Sequence, residues 1–163
     1  MTTKILIEDR FSCSPKALYD HLSDDAFDDA LMKALDMEKT LVEKKETANG
    51  MVYKIRLTNP DPIPAIAQKF TGSHLTYVET RTWDGSTLGN TWEIAPVVQG
   101  VKVDARGKTE IRAEGNGCVR VTEGSVTVNL LLIGKKIEEM VQKSILDTFK
   151  RNADYCREHV KQA

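Results

Sequence analysis

Between residues 101 and 114 small or apolar positions alternate with charged ones without a slip. Val101, Val103, Ala105, Gly107, Thr109, Ile111 and Ala113 fall on one side of the alternation, and Lys102, Asp104, Arg106, Lys108, Glu110, Arg112 and Glu114 on the other. A period of two places the two sets on opposite faces of a strand, so this stretch predicts a sheet with one wet face. Similar patterning predicts further strands over residues 4–11, 39–47, 51–58, 74–83, 87–95 and 118–130. After Leu130 the period changes. Ile133, Ile137, Met140, Val141, Ile145, Phe149, Ala153, Cys156 and Val160 recur at steps of three and four, with no proline and no glycine after Gly134. That pattern predicts one helix from residue 133 to about 161, roughly 40 Å long at 1.5 Å per residue.

The connections carry their own signals. Ser12-Cys13-Ser14-Pro15 suits a helix start with Pro15 in the first turn, predicting a helix over 15–22. Ser23 or Asp24 then caps a second helix carrying Phe27, Leu31 and Leu35 on one side. Asn49-Gly50 predicts a tight hairpin with positive φ. The proline-rich run 59–64 interrupts the sheet, and Pro64 opens a short helix ending near Phe70. Gly115-Asn116-Gly117 predicts a turn, and Gly124 a bulge bending the last strand. Together these give an α+β chain with a single domain, 1–163, in the order β-α-α-β6-α: a curved antiparallel sheet of about seven strands wrapped around the C-terminal helix.

Composition narrows the partners. Lys and Arg number 23 against 24 Asp and Glu, with no segment of concentrated charge, which argues against nucleic acid. Three cysteines without metal-type spacing suit free thiols in a reducing compartment. The first ten residues reach charge too early for a signal peptide, and no apolar run approaches the ~20 residues of a membrane span. A cytoplasmic location is the expectation, while oligomeric state stays open.

The segment Phe11-Ser-Cys-Ser-Pro-Lys-Ala-Leu-Tyr19 is similar to the strand-to-helix junction of the START-like superfamily. That superfamily, also called SRPBCC, has the helix-grip fold and includes birch-pollen-allergen-type proteins and polyketide cyclases. Residues 63–70, 75–83 and 132–138 resemble segments of an uncharacterised bacterial family within it. The resemblance spans essentially the whole chain. It implies the helix-grip fold and, beyond it, a lipid or other hydrophobic ligand; it supplies no catalytic motif.

A curved sheet gripping a helix encloses space that side chains or a guest must fill. Candidate lining residues on the strands and short helix are Tyr53, Ile55, Phe70, Tyr77, Arg81, Trp83 and Trp92; on the long helix they are Met140, Val141 and Phe149. The segment 63–70 is a candidate cover for the pocket mouth. Leu75, Tyr77, Glu79, Arg81 and Trp83 share one face of their strand. Turned inward, Arg81 would orient a carboxylate or carbonyl, with Glu79 restraining it. Because charge in an apolar cavity is costly, the sequence favours an exposed Glu79–Arg81 pair. His21, His74 and His159 have no zinc-type spacing, and Cys13, Cys118 and Cys156 read as packed apolar residues. There is no phosphate loop and no nucleophile elbow. The resulting expectation is a non-catalytic carrier or sensor of a small hydrophobic molecule, without metal or cofactor. A cyclase, hydratase or lyase using Tyr77, Glu79 and Arg81 is the enzymatic alternative, and a groove receiving a partner's helix or strand is the third. Burying about 300 Å² of apolar ligand at 25 cal/mol per Å² gives roughly 7 kcal/mol before association costs, so micromolar affinity needs a preformed pocket.

Overall fold

Strand β1 (Thr2–Phe11) leads through Ser12-Cys13-Ser14 into helix α1 (Pro15–Leu22), followed by α2 (Asp25–Ala34) and the hairpin of β2 (Glu38–Glu46) and β3 (Met51–Thr58). Helix α3 (Ala65–Thr71) separates that hairpin from β4 (Thr76–Asp84), β5 (Gly89–Pro96), β6 (Val103–Glu114) and β7 (Gly117–Val128), and α4 (Gly134–His159) ends the chain. The structure, a computed structural model, describes residues 2–160. The expected helix end at Lys161 lies outside the described residues.

The caps explain the short helices. Ser14 Oγ accepts the Ala17 amide at 3.1 Å, and the Asp24 carboxylate accepts that of Phe27 at 2.9 Å. Each satisfies an N-terminal amide that the helix itself leaves unpaired.

All seven strands form one antiparallel sheet in the order β1-β7-β6-β5-β4-β3-β2. Its concave face carries a continuous row, Tyr53, Arg81, Trp92, Gly107, Gly124 and Ile5, each opposite the next. Gly107 and Gly124 face each other beneath the indole of Trp92. A β-carbon at Gly124 would stand 2.7 Å from that ring, and one at Gly107 would overlap both the ring and the Glu123 carbonyl. Gly124 therefore makes room for Trp92 rather than marking a bulge, and the register of β7 is unbroken on both sides. The irregularity occurs instead on the edge strand β2, between Leu41 and Glu43. The β2–β3 hairpin forms, but Gly50 does not take positive φ. Its glycine is required because a β-carbon would collide with the Trp83 backbone.

Helix α4 is fastened to the sheet near both ends. The Glu138 carboxylate, 1% exposed, accepts the Val128 amide at 2.9 Å and the Thr3 hydroxyl at 2.8 Å. At the other end the buried Arg120 guanidinium donates to Asp9 at 2.8 Å and Asn152 at 2.6 Å, between the rings of Phe11 and Phe149. Ile137, Val141 and Ile145 pack with Ile5, Trp92 and Val126 in one core cluster, while α1, α2, β3 and β4 build the other.

Candidate functional site

Between the concave face and the middle of α4 lies a cavity of about 90 Å³. Its apolar wall comes from Leu22, Leu31 and Met32 of the first two helices, from Leu57 and Ile94 of the sheet, and from Val141, Ile145 and Phe149 of α4. The same wall carries polar groups at defined places.

Tyr77, Glu79, Arg81 and Trp83 all line it, so their strand turns this face inward. The side chains of Glu79 and Arg81 are each 13% exposed, which overturns the expectation of a surface pair. Charge is tolerated because it is compensated. Arg81 donates from Nε and Nη2 to the two Glu79 carboxylate oxygens at 3.1 and 2.9 Å, and from Nη1 to Asp28 at 3.1 Å. Asp28 also receives Lys39 at 2.6 Å. Burial pushes the Asp28 carboxyl upward, but the charges of Arg81 and Lys39 outweigh it and hold Asp28 below its ordinary range. Burial, aided by the Glu79 charge, raises the Tyr77 phenol. Tyr77 therefore stays protonated at neutral pH, and its hydroxyl makes no hydrogen bond to a described residue.

Two further polar atoms on this wall are more unusual. Trp92 Nε1 and Asn90 Oδ1 are buried, without a hydrogen-bond partner among the described residues, and belong to residues of β5 that line the cavity two positions apart. One is a donor and the other an acceptor. Leaving such groups unpaired costs about 1–3 kcal/mol each, a penalty that a guest with complementary groups removes. Arg120 Nε is also buried, with no hydrogen-bond partner among the described residues, on the cavity wall, while Thr109 on the same wall is satisfied by Thr122 at 3.0 Å.

Of the candidates read from the sequence, Tyr77, Arg81, Trp83, Trp92, Val141 and Phe149 line this cavity. Tyr53 and Ile55 sit behind Arg81, and the Tyr53 hydroxyl is taken by the Asp25 carboxylate. Met140 points instead into a groove of about 160 Å³ between α3 and α4, lined also by Pro64, Ile66 and Ala67. Phe70 is half-buried and lines neither space. The segment 63–70 thus braces the start of α4 and contributes nothing to the cavity wall. Asn90, Asp28 and Arg120 were not singled out by sequence. Each breaks an apolar row: Asn90 stands two before Trp92, Asp28 shares a helix side with Leu31 and Met32, and Arg120 alternates with Cys118 and Thr122.

The three cysteines are buried and unbridged. Burial, with the neighbouring Cys13, pushes the Cys118 thiol up to about 12; burial likewise pushes Cys156 up to about 11. Among the described residues no group of three or more His, Cys, Asp and Glu is placed to hold a metal ion. No described helix is long and apolar enough to cross a membrane.

No curated protein matches the chain by sequence. Its fold is nevertheless shared with solved structures along nearly its whole length. TTHA0849 from Thermus thermophilus superposes with a TM-score of 0.68 at 17% identity, covering 97% of each chain. The Zhui aromatase/cyclase from Streptomyces sp. R1128 gives 0.71 at 9% identity, covering 98% of this chain and 94% of that one. Norcoclaurine synthase from Thalictrum flavum gives 0.64 at 16% identity, covering 98% and 88%. The shared architecture is the helix-grip fold, as the sequence resemblance implied, and at these identities the likeness extends to the fold alone. The model of one sequence family, described as a protein of unknown function (DUF2505), matches residues 7–160, and the chain belongs to that family.

Proposed function

We propose that the protein binds a small, largely apolar molecule that carries one hydrogen-bond acceptor and one donor, in the cavity between the sheet and α4. The observation that carries this reading is the buried, unpartnered pair Trp92 Nε1 and Asn90 Oδ1 on the cavity wall. The fold it shares with an aromatase/cyclase and norcoclaurine synthase is compatible with such a guest. At about 90 Å³ the resting cavity is smaller than the roughly 150 Å³ engineered apolar cavity that admits benzene. A ligand of more than a few heavy atoms therefore displaces wall side chains as it enters, which lowers its affinity relative to a preformed pocket.

Phenol, which offers both functions, and toluene, which offers neither, separate polar recognition from apolar filling. The chain has two tryptophans, so its indole N–H region holds two resonances, and Trp92→Phe assigns them. Phenol is expected to move the Trp92 resonance downfield and to bind about three- to tenfold more tightly than toluene, the worth of one or two net hydrogen bonds. Equal binding of both, or movement of neither resonance, refutes the reading. Native mass spectrometry of freshly purified protein then tests for a retained natural ligand.

One observation favours a second reading. Tyr77, Glu79 and Arg81 are enclosed on one wall, as a cyclase, hydratase or lyase acting on a hydrophobic carbonyl substrate requires. In that reaction the protonated Tyr77 polarises the carbonyl and Glu79 moves the proton, oriented by Arg81. Catalysis would show as a loss of kcat in Glu79→Gln with ligand affinity retained; a carrier shows no turnover to lose.

A further inference from the structure

Three segments meet at the end of the molecule where α4 begins: the β7–α4 turn, helix α3 and the β5–β6 connection. The Asn129 amide donates to the Lys102 carbonyl, that of Gln99 to Phe70, and Ile66 and Ala67 face Ile133 and Ile137 across the α3–α4 groove. At the tip of the turn Leu131 and Leu132 are 89% and 99% exposed. The turn is held in place: the Ile133 amide donates to Leu131 at 2.9 Å and the Gly134 amide to Leu130 at 3.1 Å. Leu132 sits at φ 71°, a left-handed conformation unfavourable for leucine. The fold thus tolerates backbone strain to present two leucines to the outside. Ile66 and Val97, both exposed, add to this apolar tip.

The segments that form it carry charge of one sign. Residues 64–74, 97–103 and 129–137 contain Lys69, Lys102, Lys135 and Lys136 and no Asp or Glu. Lys135 is engaged by Thr3 and Glu138, but Lys69, Lys102 and Lys136 have no ion-pair partner among the described residues.

We infer that this end of the protein docks on an anionic lipid bilayer, with Leu131 and Leu132 inserted at the level of the headgroups and the three lysines that lack an ion pair, of which Lys69 lies over the Phe70 ring, above the phosphates. An apolar tip ringed by unpaired cations is what such a surface attracts, through apolar burial and through about 1 kcal/mol per lysine, a factor of about five in partitioning. A soluble acidic protein would satisfy the lysines but would leave no reason for two exposed leucines, one of them held at positive φ. Docking here does not depend on occupancy of the cavity, although Pro96 of the cavity wall directly precedes Val97 of the tip.

The test is flotation of the intact protein with vesicles of phosphatidylcholine alone and of phosphatidylcholine with about 30% phosphatidylglycerol, at low and high salt. Binding is expected only to the anionic vesicles and is expected to fall with salt. The double variant Leu131→Ser/Leu132→Asn should lose at least about tenfold in partitioning. It should also fold normally, since both side chains are exposed and Asn tolerates positive φ. Lys69→Glu/Lys102→Glu/Lys136→Glu should abolish binding. Leu131→Trp supplies a reporter against buried Trp83 and Trp92, and its emission should shift to the blue on anionic vesicles. Equal binding to neutral vesicles, undiminished binding of the leucine variant, or no binding at all overturns the inference. So does a dimer, seen by sedimentation and dissolved by the leucine variant, in a protein that ignores vesicles; that result assigns the tip to a second copy of the chain.

Discussion

Replacing Arg81 by methionine removes the cation that neutralises Glu79 while keeping most of the side-chain volume. Glu79 has no other basic partner among the described residues, whereas Asp28 keeps Lys39 at 2.6 Å. One carboxylate, 13% exposed, is therefore orphaned. Breaking a buried pair in this way costs about 3–5 kcal/mol, because the remaining charge must stay in a poorly solvated site. For a domain of this size each kcal/mol lowers Tm by about 2–4 °C, so Arg81→Met should melt about 6–20 °C below wild type. Removing both charges, in Glu79→Leu/Arg81→Met, leaves nothing orphaned and should recover stability to within about 1–2 kcal/mol of wild type. Urea unfolding followed by circular dichroism at pH 7 measures all three proteins, and unchanged m-values confirm that the native fold is retained. A single variant within about 1 kcal/mol of wild type refutes the reasoning, as does a double variant no better than the single.

Three further outcomes follow from other parts of the molecule. Wild-type stability should fall on acidification: Asp28 and Glu138 are held below their ordinary values of 3.8 and 4.5, so their contribution is complete above those values and is lost as pH falls through the lower native ones. A urea midpoint flat from pH 6 to about pH 3 would contradict this. Gly107→Ala should destabilise by about 3 kcal/mol and alter the near-ultraviolet spectrum, because a methyl group there displaces Trp92 from its glycine platform; Thr109→Ala offers a comparison on the same strand. Native protein should react negligibly with a disulfide thiol reagent at pH 8, its buried Cys118 and Cys156 being raised to about 12 and about 11, and all three thiols should react once urea unfolds it. Rapid modification before unfolding would disprove that burial.

The elements were legible because each is local. Alternation marked the strands, steps of three and four marked α4, Ser14-Pro15 marked the start of α1, and Ser23 or Asp24 that of α2, where Asp24 is the cap. Features that depend on what lies across the sheet were not. Gly124 reads equally as a bulge or as space for a neighbour, and only its position opposite Gly107 and under Trp92 decides between them. Gly50 was correctly placed in a hairpin for the wrong reason, since the constraint comes from the Trp83 backbone on β4. The orientation of Glu79 and Arg81 failed through an incomplete account of charge. The desolvation penalty was right, but the compensating Asp28 lies 53 residues earlier in the chain, on a helix, and Lys39 behind it on the edge strand. Asn90 was visible as a polar break in an apolar row, a signal that gains meaning only when its carbonyl is found buried without a donor.

The two fastenings of α4 bear on how the cavity can be used. Near its start Glu138 ties the helix to β1 and β7, and near its end Arg120 ties Asn152 to Asp9 while Arg151 donates to the Leu35 carbonyl at 2.7 Å. Swinging the helix away would expose at least one buried charge, a penalty comparable to that of Arg81→Met. Between these points the cavity-facing residues of α4 are Val141, Ser144, Ile145, Thr148 and Phe149, tied to the rest of the described residues by a bond from Asn59 Nδ2 to Ser144 Oγ at 2.9 Å and one from Arg120 Nη2 to the Phe149 carbonyl at 3.5 Å. Room for a guest therefore comes most readily from rotation of Ile145 and Met32 around a helix that stays docked, since the Phe149 ring is held against the Arg120 guanidinium. Such rotations enlarge the apolar part of the wall and leave Trp92, clamped on its glycines, and the Glu79–Arg81–Asp28 network where they are. The fold thus separates a deformable apolar wall, which sets how large a ligand can be, from a rigid polar one, which sets where its hydrogen-bonding groups must lie.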